Sequence, residues 1–552
     1  MAISGGFIIG AISNKKCLVD KKIADNVTLC NIISITLIAG IGIIGFTSIL
    51  MLISANTSEV FFELSAFESN YLTSYTAPDR ETTLIGTGLI DVRLNFINED
   101  RKAYAQTANE SVDHTDSNLN VPQIPMPNVT DPNLKVELVA SDLKYPTTMA
   151  FVGKDDLLVL EKNNGTIKRI VNGNLLDEPI LDLNVANKIE RGLLGIDVAR
   201  QTLDNATGEK TYVYVYYTQA IKDGDDMCST FTLCNPLGNR IYRFEWTGNE
   251  LINPNLILDL PVGPGADHNG GVIKVGPDGN IYALVGDGDS CWEDKYCSTS
   301  TYEDSVVNAE SSNVPTGNPP DGRGGILSIS PFGEPMLGGE NKTTGILADH
   351  SPLNKYFAYG VRNGFGLAFD PISNKLWDSE NGPGYGDEIN IVEPGFNSGW
   401  LRVMGWWPVE NAQPLPPERG YFGSKMVTIP NNLETFADKG RYSSPEFAWN
   451  MSVGVTALEF LKNDTLGSQY QNDLFAADYN NDYLYNFKLN EDRNRLDLDG
   501  VLADKVANNN AELDDLVFGQ GFGIATDIRE GPDGYLYVLS HIHGNLYRIV
   551  PK

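Results

Sequence analysis

Positive charge is scarce in this chain of 552 residues: 41 lysines and arginines face 72 aspartates and glutamates, for a formal charge of −31. That sign repels phosphate backbones and anionic membrane surfaces, so nucleic-acid binding is not expected, and a solvated acidic surface is the plain reading. Histidine is scarcer still, with five copies, so each deserves a question about its role. Of the six cysteines, Cys17 and Cys30 lie near the N-terminus. The other four form two local pairs, Cys228/Cys234 and Cys291/Cys297, each with five intervening residues. Thiolate zinc sites usually show shorter spacings and nearby histidines, so two loop disulfides in an oxidising compartment are expected instead.

Long apolar runs are absent except near the N-terminus, where CNIISITLIAGIGIIGFTSILMLISANTS lies inside a charge-free stretch from Asn26 to Ser58. That length spans a bilayer. Lys15, Lys16, Lys21 and Lys22 precede it, and Glu59 and Glu63 follow it. The positive-inside rule then places residues 1–30 in the cytoplasm, a transmembrane signal-anchor helix at 31–55 and the rest outside the cell membrane. A cleaved signal peptide is the competing reading, with Ile53-Ser54-Ala55 as a small-residue cleavage site, although the charged region ahead is long for one. Residues 56–132 read as an extracellular stalk, ending in the polar AQTANESVDHTDSNLNVPQIPMPNVTDPN, with no sustained period. Sequons at Asn109, Asn128, Asn164, Asn205, Asn341, Asn450 and Asn463 are compatible with surface glycosylation.

What the chain has in abundance is glycine, 54 residues of it, with 41% hydrophobic and 10% aromatic residues, the composition of a turn-rich all-β protein. From residue 133 onward a loose repeat emerges. Its copies contain DDLLVLEKNNGTIKRIVNG, then KTYVYVYYTQA with NRIYRFEWTGN, then GPDGNIYALVGD with GGILSISPFGE. NKLWDSENG with DEINIVEPG, NDLFAADYNNDYLYNFKLN and GPDGYLYVLSHIHGNLYRIVP follow. Six copies over about 420 residues give roughly seventy each, which suits four-stranded blades with long loops. Asp-Gly at 278–279 and 533–534 is a hairpin signal. A six-bladed β-propeller at 133–552 is the expected architecture, since radial closure removes exposed sheet edges. A sandwich or a pair of β-domains is the alternative. Val136 to Val139 are expected to complete the last blade.

Three loops hold residues suited to reaction. In GADHNGGVIKVGPDGNIYALVGDGD, Asp287 stands nineteen residues after His268. A strand-turn-strand between them returns the aspartate to the same rim, where it can orient the imidazole and raise its basicity. A structural, hydrogen-bonded histidine is the plain alternative. In YGVRNGFGLAFDP, Arg362 and Asn363 stand between glycines. An arginine there can polarise a carbonyl or hold an anion, or it can brace neighbouring loop carbonyls. In SENGPGYGDEIN, a Gly-Pro-Gly turn precedes Asp387 and Glu388. These are hard oxygen donors of the kind calcium accepts, or an acidic turn in solvent.

Together with ERGLLGIDVA, DHNGG, SENGPGYGDEINIVEPGFNSGW and GPDGYLYVLS, these segments give the chain a resemblance to the soluble quinoprotein glucose dehydrogenase and sorbosone dehydrogenase family across most of residues 140–552. The resemblance implies a six-bladed propeller that uses pyrroloquinoline quinone (PQQ) and calcium to oxidise a sugar. By that resemblance His268 takes the proton of the anomeric hydroxyl, Asp287 orients His268, and Arg362 with Asn363 contacts the quinone carbonyls. Glu190 lies beside cofactor or substrate, carbonyls of Gly382 and Pro383 bind the cofactor's calcium, and Asp387 and Glu388 ligate or support a nearby calcium. The sugar and the electron acceptor are not specified.

The chain also departs from the family. Asn480 stands where a lysine is expected, and Ile524 and Thr526 stand where two arginines are expected to hold the cofactor's carboxylates. Arg529 is the nearest basic residue. Burying carboxylates without cationic partners is costly. Two functions therefore stay open: a membrane-anchored extracellular aldose dehydrogenase, and a calcium-binding surface propeller that takes glycan or protein without redox chemistry. A calcium-dependent lactonase has less support, because such propellers lack this motif series.

Overall fold

The computed structural model describes residues 125–202, 209–221, 236–262, 266–288, 309–336, 345–408 and 433–552, and the backbone of four strands nearer the N-terminus. The chain divides into two compact units, Met1–Val121 and Pro122–Lys552. In the first, Ile33–Thr36, Ser48–Ile53, Glu59–Ala66 and Ser69–Thr76 form one antiparallel sheet. The described parts of the expected anchor helix at 31–55 are therefore extended, and the remainder lies outside the described residues. An apolar run rich in isoleucine and threonine satisfies a strand as well as a helix, and lacks the periodicity that separates them. No helix among the described residues is long and apolar enough to cross a membrane. All six cysteines lie outside the described residues.

The second unit is an all-β propeller. Its described residues contain six sheets of four or more strands. Each copy of the sequence repeat supplies the two middle strands of one sheet: Asp156–Glu161 and Thr166–Val171 in the first, for instance, and Leu536–Ser540 and Asn545–Pro551 in the sixth. The Asp-Gly turns show why the pattern recurs. Gly279 and Gly534 both sit at φ +81, a conformation that glycine adopts without steric cost. The preceding aspartate ties the turn to its strand: Asp278 accepts from Asn280 N at 3.1 Å and Tyr282 Oη at 3.0 Å. Asp533 does the same for Tyr535 N at 3.2 Å and Tyr537 Oη at 2.9 Å.

Closure is apolar. Val213 and Val215 pack on Leu158 and Leu160 between the first two sheets, and Tyr214 on Ile273 and Ile281 between the next two. Leu284 meets Leu367, Trp377 meets Phe460, and Phe475 shares a cluster with Val538. Leu539 and Leu546 finally join Leu157 and Val159, returning from the sixth sheet to the first. Burying one such side chain contributes about 1.5–3 kcal/mol, and apolar clusters of this kind join each of the six sheets to the next. Leu134–Ala140 pairs with Asn545–Pro551 and completes the sixth sheet, as expected for Val136 to Val139. Upstream, Asn128–Val129 pairs with Val517–Gln520 at the edge of the fifth.

Charged residues on the innermost strands are internally matched. Lys274 Nζ meets Glu459 Oε2 at 2.7 Å, and Arg529 Nε meets Asp527 Oδ2 at 3.0 Å. Asp197 accepts from Val275 N at 2.6 Å and lies 3.9 Å from Arg529. This network links inner strands of the second, third, fifth and sixth sheets. One sequon is corrected here: Asn450 is buried and its Ser452 hydroxyl is bonded to Asp387, so this site is poorly presented for glycosylation. Asn128, Asn164 and Asn463 are exposed.

Candidate functional site

In each sheet the innermost strand starts, and the second strand ends, at one face of the propeller. His268 precedes the inner strand Ile273–Val275, and Asp287 follows the second strand Ile281–Val285. The ladder continues past these strands, with Gly271 N on Leu284 O at 2.9 Å and Gly288 N on His268 O at 3.1 Å. It thus delivers Asp287 to His268, whose Nδ1 lies 2.7 Å from Asp287 Oδ1. Both are buried. His268 takes φ +55, an uncommon conformation for a residue with a Cβ, and one that surrounding structure must enforce. Trp400 Nε1 donates to Asp287 Oδ2 at 2.7 Å, so both oxygens of the carboxylate are engaged.

Opposing forces act on the pair. Burial and the Arg362 charge push the His268 pKa down, but the contact with Asp287 and the charge of Glu190 prevail and leave it raised. Burial pushes Asp287 up, yet His268, Arg362 and the Trp400 donor hold it below the usual carboxylate range. Glu190 is raised by burial, partly offset by His268. With Nδ1 turned to the carboxylate, the neutral tautomer carries its proton there and keeps a lone pair on Nε2.

Arg362 and Asn363 stand just before the fourth sheet's inner strand, Gly364–Phe369. Arg362 Nη1 donates to Asn381 O at 2.8 Å and Gly382 O at 3.2 Å, and the guanidinium lies 5.4 Å from the centre of the Trp400 ring. Its backbone N donates to Glu380 Oε2 at 3.1 Å. Asn363 Nδ2 donates to both Glu190 oxygens at 3.1 Å, joining residues 173 positions apart. Glu190 Oε2 also accepts a long bond from Asn269 N at 3.4 Å, next to His268. The structure thus brings His268, Asp287, Glu190, Arg362 and Asn363 together. Arg362 Nε, Asn363 Oδ1 and Asn381 Oδ1 are buried and have no hydrogen-bond partner among the described residues. Orphaned buried polar atoms carry a desolvation cost that a polar ligand removes.

Asp387 and Glu388 are each engaged by several protein donors. Asp387 accepts from Gly382 N at 2.8 Å, Ser452 Oγ at 2.8 and 2.9 Å, Val453 N at 2.8 Å and Gly454 N at 2.6 Å. Those donors use the lone pairs a cation would need, so Asp387 ties the Gly382 turn to the fifth sheet and does not fit as a metal ligand. Glu388 accepts from Asn390 Nδ2, Ser398 Oγ and Gly405 N at 3.1, 2.8 and 2.6 Å. Burial pushes it up to about 7. Gly382 and Pro383 stay in the turn beside Arg362, and a carbonyl that accepts one hydrogen bond retains a second lone pair. The Gly382 carbonyl thus keeps a lone pair that a hard cation could share; the Asp387 carboxylate does not.

Residues that sequence reasoning missed surround this set. Trp400 is inside the quoted GFNSGW motif, but nothing in one sequence says that its indole reaches Asp287. Glu380 and Asp378 share a face of the fourth sheet with Glu388, since Glu380 pairs with Glu388 and Asp378 with Asn390. Asp378 is buried, and burial raises its carboxyl well above the usual range, with the Asn390 side chain only partly opposing this. Alternation in LWDSENG could have shown the shared face.

The three substituted positions are also located. Asn480 Nδ2 donates to Ser452 O at 3.0 Å, and Thr526 Oγ1 to Pro146 O at 3.0 Å. Ile524 takes φ +64, and its backbone N, with that of Gly523, donates to Asp482 at 3.1 and 3.0 Å. That corner therefore carries a carboxylate. Arg529 is spent on Asp527 in the central network and offers no replacement.

Known proteins agree with this architecture. An aldose sugar dehydrogenase of Escherichia coli is 31% identical over 197 residues, 36% of this chain and 44% of that protein. Quinoprotein glucose dehydrogenase B of Acinetobacter calcoaceticus is 25% identical over 288 residues, 50% of this chain and 54% of its own length. Among solved structures, an oxidoreductase (glucose dehydrogenase) from Thermus thermophilus superposes with a TM-score of 0.52 at 24% identity, covering 76% of this chain and all of that one. The sequence profile of the Glucose / Sorbosone dehydrogenase family matches residues 143–548. A propeller whose shared face holds the paired His268 and Asp287 beside Arg362 and Asn363, and whose sequence fits that profile across most of its length, belongs to the Glucose / Sorbosone dehydrogenase family.

Proposed function

We propose that the chain is a PQQ-dependent aldose sugar dehydrogenase that removes hydride and proton from a sugar's anomeric carbon and hydroxyl. The observation that carries this reading is the 2.7 Å contact between His268 Nδ1 and Asp287 Oδ1 at the propeller's face. PQQ, when bound, supplies the two-electron acceptor for the hydride. His268 Nε2 accepts the hydroxyl proton, and Asp287 holds the ring and stabilises the imidazolium that results. Arg362 Nε and Asn363 Oδ1, both buried and unpaired among the described residues, are the groups that fit the polar edge of the cofactor. Glu190, fixed by Asn363, borders the place where the sugar meets the base. The carbonyls of Gly382 and Pro383 would hold a calcium ion against the cofactor.

Titration of the full chain with PQQ, in calcium and in chelator, tests this. Calcium-dependent binding that is lost in Arg362→Ala supports it; no binding well above the micromolar range sinks it.

Anchoring belongs to the same proposal. The lysines before the charge-free run from Asn26 to Ser58 support a placement of the propeller outside the cell membrane, and protease protection of residues 1–30 in intact cells tests it. A second reading, a binding propeller without redox chemistry, is favoured by one observation: Asp482 occupies the corner where cationic anchors were expected. Under that reading, titration with PQQ is silent and the same face takes a glycan or a protein.

A further inference from the structure

Second strands end at the same face in every sheet, and in the first and sixth the next residue is a lysine and a histidine. Lys162 follows the second strand Asp156–Glu161 of the first sheet. His541 follows the second strand Leu536–Ser540 of the sixth. The two side chains share one corner. Pro146 O accepts from Thr526 Oγ1 at 3.0 Å and lies 3.0 Å from His541 Nδ1. The preceding carbonyl, Tyr145 O, accepts from Lys162 N at 3.1 Å, and the Tyr145 ring lies 5.5 Å from that of His541. Lys162 Nζ donates to Asn163 Oδ1 at 2.9 Å and to Asn187 O at 3.3 Å. Both acceptors are neutral, and these are two of the ammonium's three protons. The Lys162 backbone carbonyl accepts from Leu193 N at 3.0 Å, close to Glu190.

We propose that Lys162, with His541 beside it, is the cationic anchor for a carboxylate of the ligand that occupies the propeller's face. The inference rests on the dehydrogenase reading and assigns the anionic end of its cofactor to the corner between the sixth and first sheets. The corner between the fifth and sixth sheets is closed to an anion, since Asp482 holds Gly523 and Ile524 there. Thr526, at one of the expected cationic positions, is bonded to the same carbonyl as His541. The anchoring charge has thus moved by one corner. Among the described residues the charge has no close counterion: burial pushes Lys162 down to about 8, and the field of Glu190 only partly opposes this. A cation in that state gains by meeting a carboxylate.

The test is calorimetry of the full chain with PQQ at about pH 8.5, in buffers of different ionisation enthalpy, which counts protons taken up on binding. Of the charged neighbours, His541 is pushed down by burial, away from that range, and Glu190, raised by burial, is common to the wild type and the Lys162 variants. The wild type is expected to take up a fraction of a proton as Lys162 is recharged. Lys162→Arg, already charged, is expected to bind comparably with that uptake removed, and Lys162→Met to bind roughly tenfold or more weakly. Binding by Lys162→Met within about threefold of wild type, or uptake that persists in it, overturns the anchor and leaves the dehydrogenase reading standing. Failure of the wild type to bind PQQ overturns both.

Discussion

Trp400 Nε1 and His268 Nδ1 sit on the two oxygens of one buried carboxylate, each 2.7 Å from Asp287. The indole therefore fixes Asp287 from behind while Asp287 fixes the imidazole. Trp400→Phe keeps an aromatic ring and removes the donor. The partnerless oxygen is expected to cost about 1–3 kcal/mol of stability, read as a lower unfolding midpoint. With less of the carboxylate's charge neutralised, the His268 titration seen by NMR is expected to move upward; an unmoved titration would show that Trp400 only packs.

The pH dependence follows from the same pair. His268 is raised in the folded state, so less of the base form needed for proton removal is present at a given pH than for an ordinary imidazole. Activity, as kcat/KM, is expected to rise with pH through a midpoint above the ordinary 6.5 of imidazole. Asp287→Asn removes the raising partner, and burial and Arg362 then prevail, so the midpoint falls below that value. The linkage has a matching sign. The stability that the raised His268 contributes is fully present below its unfolded pKa and lost as pH rises through its folded pKa. The unfolding difference between wild type and Asp287→Asn is expected to narrow over that interval.

Lys274 and Glu459 test the centre of the propeller. Lys274→Met leaves the Glu459 carboxylate without its 2.7 Å partner, a change of the kind that costs about 3–5 kcal/mol. Adding Glu459→Leu is expected to restore most of that loss. Urea unfolding of the two single variants and the double variant measures the coupling.

Asp378 makes the opposite prediction. Its carboxyl is raised by burial and by Glu388, so the folded state retains a proton that the unfolded state releases. Stability is thereby lost as pH rises from the unfolded pKa toward the folded one. Asp378→Asn removes the penalty and is expected to unfold later than wild type at pH 8, with the gain shrinking toward pH 4. Destabilisation at pH 8 would mean that the carboxylate has a cationic partner in solution.

Much of this was legible in the residues, for identifiable reasons. The six repeat copies correspond to the middle strands, because a strand covered on both faces writes a continuous apolar run such as Ile281–Val285. Inner and outer strands were harder to see. Phe447–Trp449 joins the fourth sheet from a position far beyond Asp387–Val392, a pairing that no local period announces. His268 and Asp287 were readable because one hairpin separates them. The role of Asp387 was not, since its donors Ser452, Val453 and Gly454 come from the start of the fifth sheet. Lys162 was hidden for a related reason: it ends an unremarkable strand, and only the propeller's closure sets it beside His541.

The measurement that bears most directly on the account is aldose-dependent reduction of a dye acceptor by the full chain loaded with PQQ, comparing wild type with His268→Ala. The account predicts turnover in the wild type and a loss of about 10²–10⁴-fold in the variant, the usual worth of a positioned general base. Equal turnover by both proteins, or none by a wild type that demonstrably holds the cofactor, would contradict it.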